Sequence, residues 1–278
     1  ITRLSDGTLG EKFFLVGPGA AHNIDFDFLQ KSLPKDGSVH LSDKTNQYGV
    51  FVLAGPNARS VLQKIADADI SNESFKWLSM QEIPIGFCPK VRAMRVNFVG
   101  SLGWELHHPI EYQLQLFEAL RDAGAEFEIK NVGMRAMDSM RLEKSYRLWG
   151  TDLNAENSAL EANLHRFIRL NKGEFTGRQA LIEQQEQGVP NKFCTIEIEA
   201  NDADSFGNEP IIIDGKVVGR GTSGGYGHFI RKSLMLGYIE SGHANIGQEC
   251  QVRLLDRLLP AKIIAESPYD PDNIALKA

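Results

Sequence analysis

From Asn191 onward the chain is written in short β-branched runs. "KFCTIEIEA", "EPIIIDGKVVGRGTSGGYG", "SLMLGYIE" and "ECQVRLLDRLLPAKIIA" are separated by Gly, Asp and Ser, the pattern of strands joined by tight turns. Asp214-Gly215 sits between two apolar runs. That pair is the strongest short-range hairpin signal, because a two-residue turn of the required twist needs positive φ at both positions. Strands this short gain stability only by closing or stacking, which removes their free edges. Residues 191–278 therefore read as a C-terminal all-β barrel or a jelly-roll-like domain.

The sequence before that point has another texture. "YGVFVLAGPNARSVLQKI" is an apolar strand, a Gly-Pro break and a helix whose Ala58, Val61, Leu62 and Ile65 recur at helical spacing. A hairpin follows in "VNFVGSLGWELHHP", two apolar runs about a glycine turn. "EYQLQLFEALRDAG" is an amphipathic helix, and "NVGMRAMDSMRLEKSYRLWG" reads as another, ending at Gly150. Strand, helix, hairpin and helix make an α+β pattern with antiparallel sheets. Residues 46–190 form this domain. Residues 1–45 read as the remainder of a first α+β domain: a hairpin made of ITRL, a polar turn and KFFLV, then a helix in DFDFLQKSL and a short strand around SVHLSD. The opening strand lacks a neighbour before it. The chain is therefore expected to continue an upstream polypeptide and not to fold stably without it.

Composition narrows the function. The 278 residues carry a net charge of -6, so a nucleic-acid partner held by general electrostatics is not expected. No apolar run approaches the ~18 residues of a membrane span. Three cysteines, Cys88, Cys194 and Cys250, are odd in number and far apart. Neither a disulfide framework nor a zinc site is indicated, and a reducing compartment is expected. His107 and His108 are adjacent on a strand, point to opposite faces and do not chelate one metal ion. "GPGAAHN" has no GxGxxG, and "GPNARS" lacks the P-loop lysine.

Four segments, in order, resemble the glycine cleavage T-protein (aminomethyltransferase) family: "GSLGWEL", "MDSMRLEKSYRLWGTDL", "ALEANLHRFIRLNKGEFTGRQAL" and "GRGTSGGYGHFIRKSLMLGYI". The likeness covers nearly the whole chain. "RLEKSYRLWGTDL", "HRFIRL", "SGGYGHFIRKSL" and "SPYDPDN" are closest to the C-terminal folate modules of dimethylglycine and sarcosine dehydrogenases or oxidases; a trimethylamine-oxide demethylase carries a related module. The resemblance implies tetrahydrofolate as cofactor. It also implies capture of an N-methyl carbon, as iminium or formaldehyde, to give 5,10-methylenetetrahydrofolate. The alternative is a non-catalytic folate-binding or regulatory module. FAD would belong only to a separate upstream domain. The expected partners are folate and that upstream polypeptide, an oligomer is compatible, and the setting is cytoplasmic, or the mitochondrial matrix in a eukaryote. The family's catalytic aspartate falls before Ile1, so no residue of the chain takes that role.

The resemblance makes Glu105 the carboxylate that holds the pterin through its ring N–H and exocyclic amine, a pair of donors matched to two acceptor oxygens. Without it, Glu105 reads as a hairpin acid facing water. Trp104 and Leu106 flank it as a screen from solvent. Phe98 is either core or a ring stacked on the pterin without a hydroxyl. Arg141 either pairs with Asp138 on the helix surface or meets the carboxylates of the folate tail, and Arg135 lies six residues away. Arg166 stands where the family often has tryptophan, and its role is open. Trp149 walls the site or packs in the core. Arg178 reads as structural, fixing a helix start. Tyr226 follows three small residues that permit close backbone approach and would line a folate cavity, which the barrel is expected to close by packing on the α+β part.

Overall fold

The structure, a computed structural model, describes residues 1–7 and 10–278, without the side chains of residues 5–7. It comprises helices, antiparallel sheets and a closed six-stranded barrel. Two compact units divide it: residues 1–97, 101–130 and 278 in one, residues 98–100 and 131–277 in the other.

In the first unit, β1 (Thr2–Gly7) and β2 (Gly10–Phe14) form an antiparallel pair. The middle of the expected polar turn, Thr8 and Leu9, lies outside the described residues. Helix α1 (His22–Lys31) follows. The strand expected around SVHLSD is absent, and an aspartate near each end of the segment bonds a nearby backbone N–H instead. Asp36 Oδ1 accepts from the Ser38 N–H at 2.9 Å, and Asp43 Oδ1 from the Thr45 N–H at 2.9 Å, the Asx turns that compete with a ladder. A four-stranded sheet then forms in the order β3 (Tyr48–Ala54), β6 (Gly103–Pro109), β5 (Cys88–Met94), β4 (Met80–Ile85). The hairpin around Glu105 is real but shifted. Its first arm is β5, and residues 96–99 are loop.

Helices α2 (Ala58–Gln63) and α3 (Gln113–Gly124) turn Val61, Leu62, Leu116 and Leu120 onto Trp104 and Leu106 in one buried cluster. Each such apolar side chain contributes about 1.5–3 kcal/mol on leaving water.

In the second unit, α4 (Met134–Glu143) ends well before the expected Gly150. Arg141, Leu142, Glu143, Lys144 and Ser145 are all buried, and a continuing helix would turn part of such a run to solvent. Instead Ser145 takes φ 55°. Its hydroxyl lies 2.7 Å from Thr195 Oγ1 and accepts from the Ser267 N–H at 2.9 Å.

Helix α5 (Arg178–Gln187) precedes the barrel. Arg178 does sit at its start, with Nε donating to Leu170 O at 2.7 Å.

The barrel order is β10 (Lys232–Glu240), β7 (Asn191–Ile198), β12 (Arg257–Ile264), β11 (Glu249–Leu254), β8 (Pro210–Ile213), β9 (Lys216–Gly227). Asp214-Gly215 makes the β8–β9 turn, with φ 49° and 73°. Inward-facing Ile196, Ile211, Met235, Val252 and Ile263 fill the interior. Leu142 of α4 packs with Phe193, Leu234 and Leu236 on the barrel.

Candidate functional site

Strand β6 separates two environments by its two-residue period. Trp104, Leu106 and His108 face the core; Gly103, Glu105 and His107 take the other face. Trp104 is fully buried, with the Arg59 and Arg95 guanidiniums 5.4 and 5.7 Å from its ring. The expected screen of Glu105 by Trp104 and Leu106 is therefore not what these residues provide. They anchor the strand from behind.

The Glu105 side chain keeps 27% of its surface exposed, and that of His107 keeps 2%. His107 Nε2 lies 3.1 Å from Glu105 Oε2. Among the described residues no other donor reaches the Glu105 carboxylate. Its cross-strand neighbours are Val52 on β3 and Met94 on β5; those of His107 are Val50 and Arg92. Val50 and Val52 are exposed, so the carboxylate stands beside an open apolar strip. Phe14 of β2 meets the His107 ring edge-on, with centroids 5.4 Å apart, and lies 5.9 Å from Tyr48. The Arg92 guanidinium sits 4.8 and 4.9 Å from those two aromatic rings, and its Nε donates to Glu82 Oε2 at 3.2 Å. His108 is used elsewhere, with Nε2 2.8 Å from Gln113 Oε1. No metal-ligating cluster occurs among the described residues.

The second unit holds the other singled-out residues. Phe98 stacks on Tyr146 with centroids 6.0 Å apart and planes 25° apart. Burial pushes the Tyr146 phenol up, with Arg166 opposing and Asp270 adding to the shift. The Arg166 guanidinium lies 4.8 Å from the Phe167 ring. Trp149 is exposed rather than core. Tyr226 meets His228 edge-on at 5.1 Å, and its carbonyl accepts from Ser139 Oγ at 2.6 Å. The small residues before Tyr226 do allow a close approach. A Cβ on Gly224 would strike the Ser205 hydroxyl, so the chain itself fills that space.

Arg141 is buried, not at the helix surface. Its Nε donates to Asp138 Oδ1 at 2.6 Å, and its Nη1 to Asp152 Oδ2 at 2.6 Å and Tyr146 O at 3.0 Å. Asp152 is the hub. Its Oδ2 also accepts from the Leu148 N–H at 2.8 Å, and its Oδ1 from Ser223 Oγ at 2.7 Å and from Thr222 Oγ1. The β9–β10 register slips by one at Thr222, and such a bulge re-aims a side chain. Lys144 Nζ is held by Tyr269 O, Asp270 O and Asn273 Oδ1, and burial lowers its pKa. Sequence reasoning missed His107 as Glu105's partner, although residues two apart on a strand share a face. It also passed over Tyr146 and Asp152, which meet Phe98 and the Thr222 and Ser223 hydroxyls, respectively, across long sequence separations.

Residues 3–172 match the GCVT N-terminal domain, and residues 191–270 match the glycine cleavage T-protein C-terminal barrel domain. The chain belongs to the glycine cleavage T-protein family. Human mitochondrial dimethylglycine dehydrogenase is 38% identical over 259 residues, which is 92% of this chain and 30% of that protein. The mouse mitochondrial pyruvate dehydrogenase phosphatase regulatory subunit is 32% identical, over 85% of this chain and 28% of that protein. The crystal structure of glycine cleavage system aminomethyltransferase T from Bartonella henselae superposes with a TM-score of 0.77 at 21% identity, over 90% of this chain and 67% of that one. The chain thus spans about a third of the length of the first two relatives.

Proposed function

We propose that this chain is the tetrahydrofolate-holding part of a demethylating one-carbon transfer enzyme. The observation that carries the reading is Glu105: a partly exposed carboxylate with one oxygen partnered by His107 and no other protein donor among the described residues. Such a group fits the donor edge of a pterin, which presents a ring N–H beside an exocyclic amine. The exposed Val50 and Val52 side chains suit an apolar ring face beside it. When bound, tetrahydrofolate supplies the amine nitrogens that capture the one-carbon unit. Glu105 orients that group by accepting its protons' hydrogen bonds and carries out no proton transfer. A site of this kind works by positioning and by keeping a reactive carbon from water.

The 38% identity to dimethylglycine dehydrogenase favours dimethylglycine as methyl donor. It also favours a mitochondrial matrix setting. FAD would belong only to a separate upstream domain, where it would supply the oxidation of the N-methyl group. Phe98, Tyr226, Trp149 and Arg166 are candidates for further folate contacts; Arg141, with three hydrogen bonds inside its own unit, is a candidate for holding the loop that carries Trp149. The similarity to a regulatory subunit favours a second reading, a folate-binding module without turnover. The test is to supply the intact protein with dimethylglycine, sarcosine or trimethylamine N-oxide, with and without tetrahydrofolate. Methylenetetrahydrofolate formation in place of free formaldehyde is expected. Folate binding with no turnover on any donor would favour the regulatory reading, and no folate binding would overturn both.

A further inference from the structure

We infer that His107 is a positioning residue for the ligand of Glu105, an inference that rests on the folate reading of that carboxylate. Burying an imidazole is costly unless its nitrogens are bonded. His107 is nevertheless enclosed, with Nε2 3.1 Å from Glu105 Oε2. A carboxylate accepts, so the shared proton sits on Nε2 and His107 donates.

Three torsions would otherwise let Glu105 swing, and ordering such a side chain opposes binding. The donor pins one oxygen. The other oxygen and the remaining lone pairs stay available beside the exposed Val50 and Val52 strip.

The imidazole is itself fixed. Phe14 abuts its ring edge-on at 5.4 Å, Arg92 lies against both Phe14 and Tyr48, and Glu82 holds Arg92 at 3.2 Å. A line of contacts from β4 through β5, β2 and β3 thus ends on the orientation of one carboxylate. His107 touches no ligand in this scheme and acts only through Glu105.

The test uses calorimetry of 5-formyltetrahydrofolate on the intact protein. His107→Phe keeps a ring against Phe14 and removes the donor. It should weaken binding about tenfold, the worth of one oriented hydrogen bond. His107→Gln, which returns an N–H at similar reach, should recover affinity to within about threefold of the unsubstituted protein. On a Glu105→Ala background, His107→Phe should change affinity by less than about twofold, since coupled residues lose their separate effects. His107→Met serves the same comparison if the phenyl ring is not accommodated, with thermal unfolding recorded for each variant.

If Glu105→Ala weakens binding while His107→Phe does not, the inference falls and the folate reading stands. An equal loss from His107→Phe with and without Glu105 also overturns it, because His107 would then act on its own. Unchanged affinity in Glu105→Ala removes the folate reading of Glu105, and this inference with it.

Discussion

Removing the Asp152 carboxylate should be among the most damaging single changes in the second unit. Asp152 is wholly buried and accepts from Arg141, Leu148 N–H, Ser223 and Thr222. Asp152→Ala strands the Arg141 guanidinium, also buried, with Asp138 and one carbonyl. Breaking a buried pair by deleting one partner costs about 3–5 kcal/mol. Asp152→Asn is milder. Its carbonyl oxygen can still face Arg141 and Leu148 N–H, and its amide can donate to the Ser223 and Thr222 hydroxyls, which accept as well as donate. Only the charge opposite Arg141 is lost, so about 2 kcal/mol is expected, within the range for a charge-assisted hydrogen bond. Urea unfolding followed by circular dichroism gives the comparison. At a slope of about 3 kcal/mol/M, Asp152→Ala should lower the midpoint by about 1–1.7 M, and Asp152→Asn by about 0.7 M. A loss under about 1 kcal/mol for the alanine variant, or a larger loss for asparagine than for alanine, would refute the reasoning.

Further outcomes follow from the same contacts. Burial raises Cys194 to about 12, Cys250 to about 11 and Tyr238 to about 12, all within the barrel. The folded state then holds protons that the unfolded chain releases, so stability is intact below about pH 9 and is lost as pH rises toward 12. Urea midpoints measured at increasing pH from 8 should fall, and Tyr238→Phe with Cys194→Ala should flatten the decline. Glu143 Oε1 accepts the Phe229 and Ile230 N–H groups, each at 2.8 Å. Glu143→Gln should therefore cost about 1.5–3 kcal/mol and speed amide exchange at those two residues, as hydrogen-exchange mass spectrometry would detect.

Much of the architecture could be read from local chemistry. Asp214-Gly215 forms the turn its φ preference demands, and Ala58, Val61 and Leu62 bury the face their spacing implied. What was not legible depended on tertiary partners. Helical propensity runs on past Glu143, yet the chain turns at Ser145, where Thr195 and Ser267 lie more than forty residues away in sequence. The alternating SVHLSD looked strand-like, but Asp36 and Asp43 satisfy the neighbouring backbone locally. At the candidate site, Glu105 stood out as an acid between Trp104 and Leu106. Strand periodicity alone would have placed both flanking residues on the opposite face and His107 on the same one. The Arg141–Asp152 pair joins residues eleven apart across a turn whose course no local pattern announced.

The affinity of the intact protein for 5-formyltetrahydrofolate, with and without Glu105→Gln, tests the central claim most directly. The amide keeps one acceptor and sets an NH2 against a donor-rich pterin edge. Loss of a charge-assisted pair costs about 1.5–3 kcal/mol, or about ten- to a hundredfold in affinity. The account predicts that loss in a variant whose thermal unfolding is unchanged; equal affinity in a well-folded Glu105→Gln protein would contradict it and return Glu105 to the role of a surface acid.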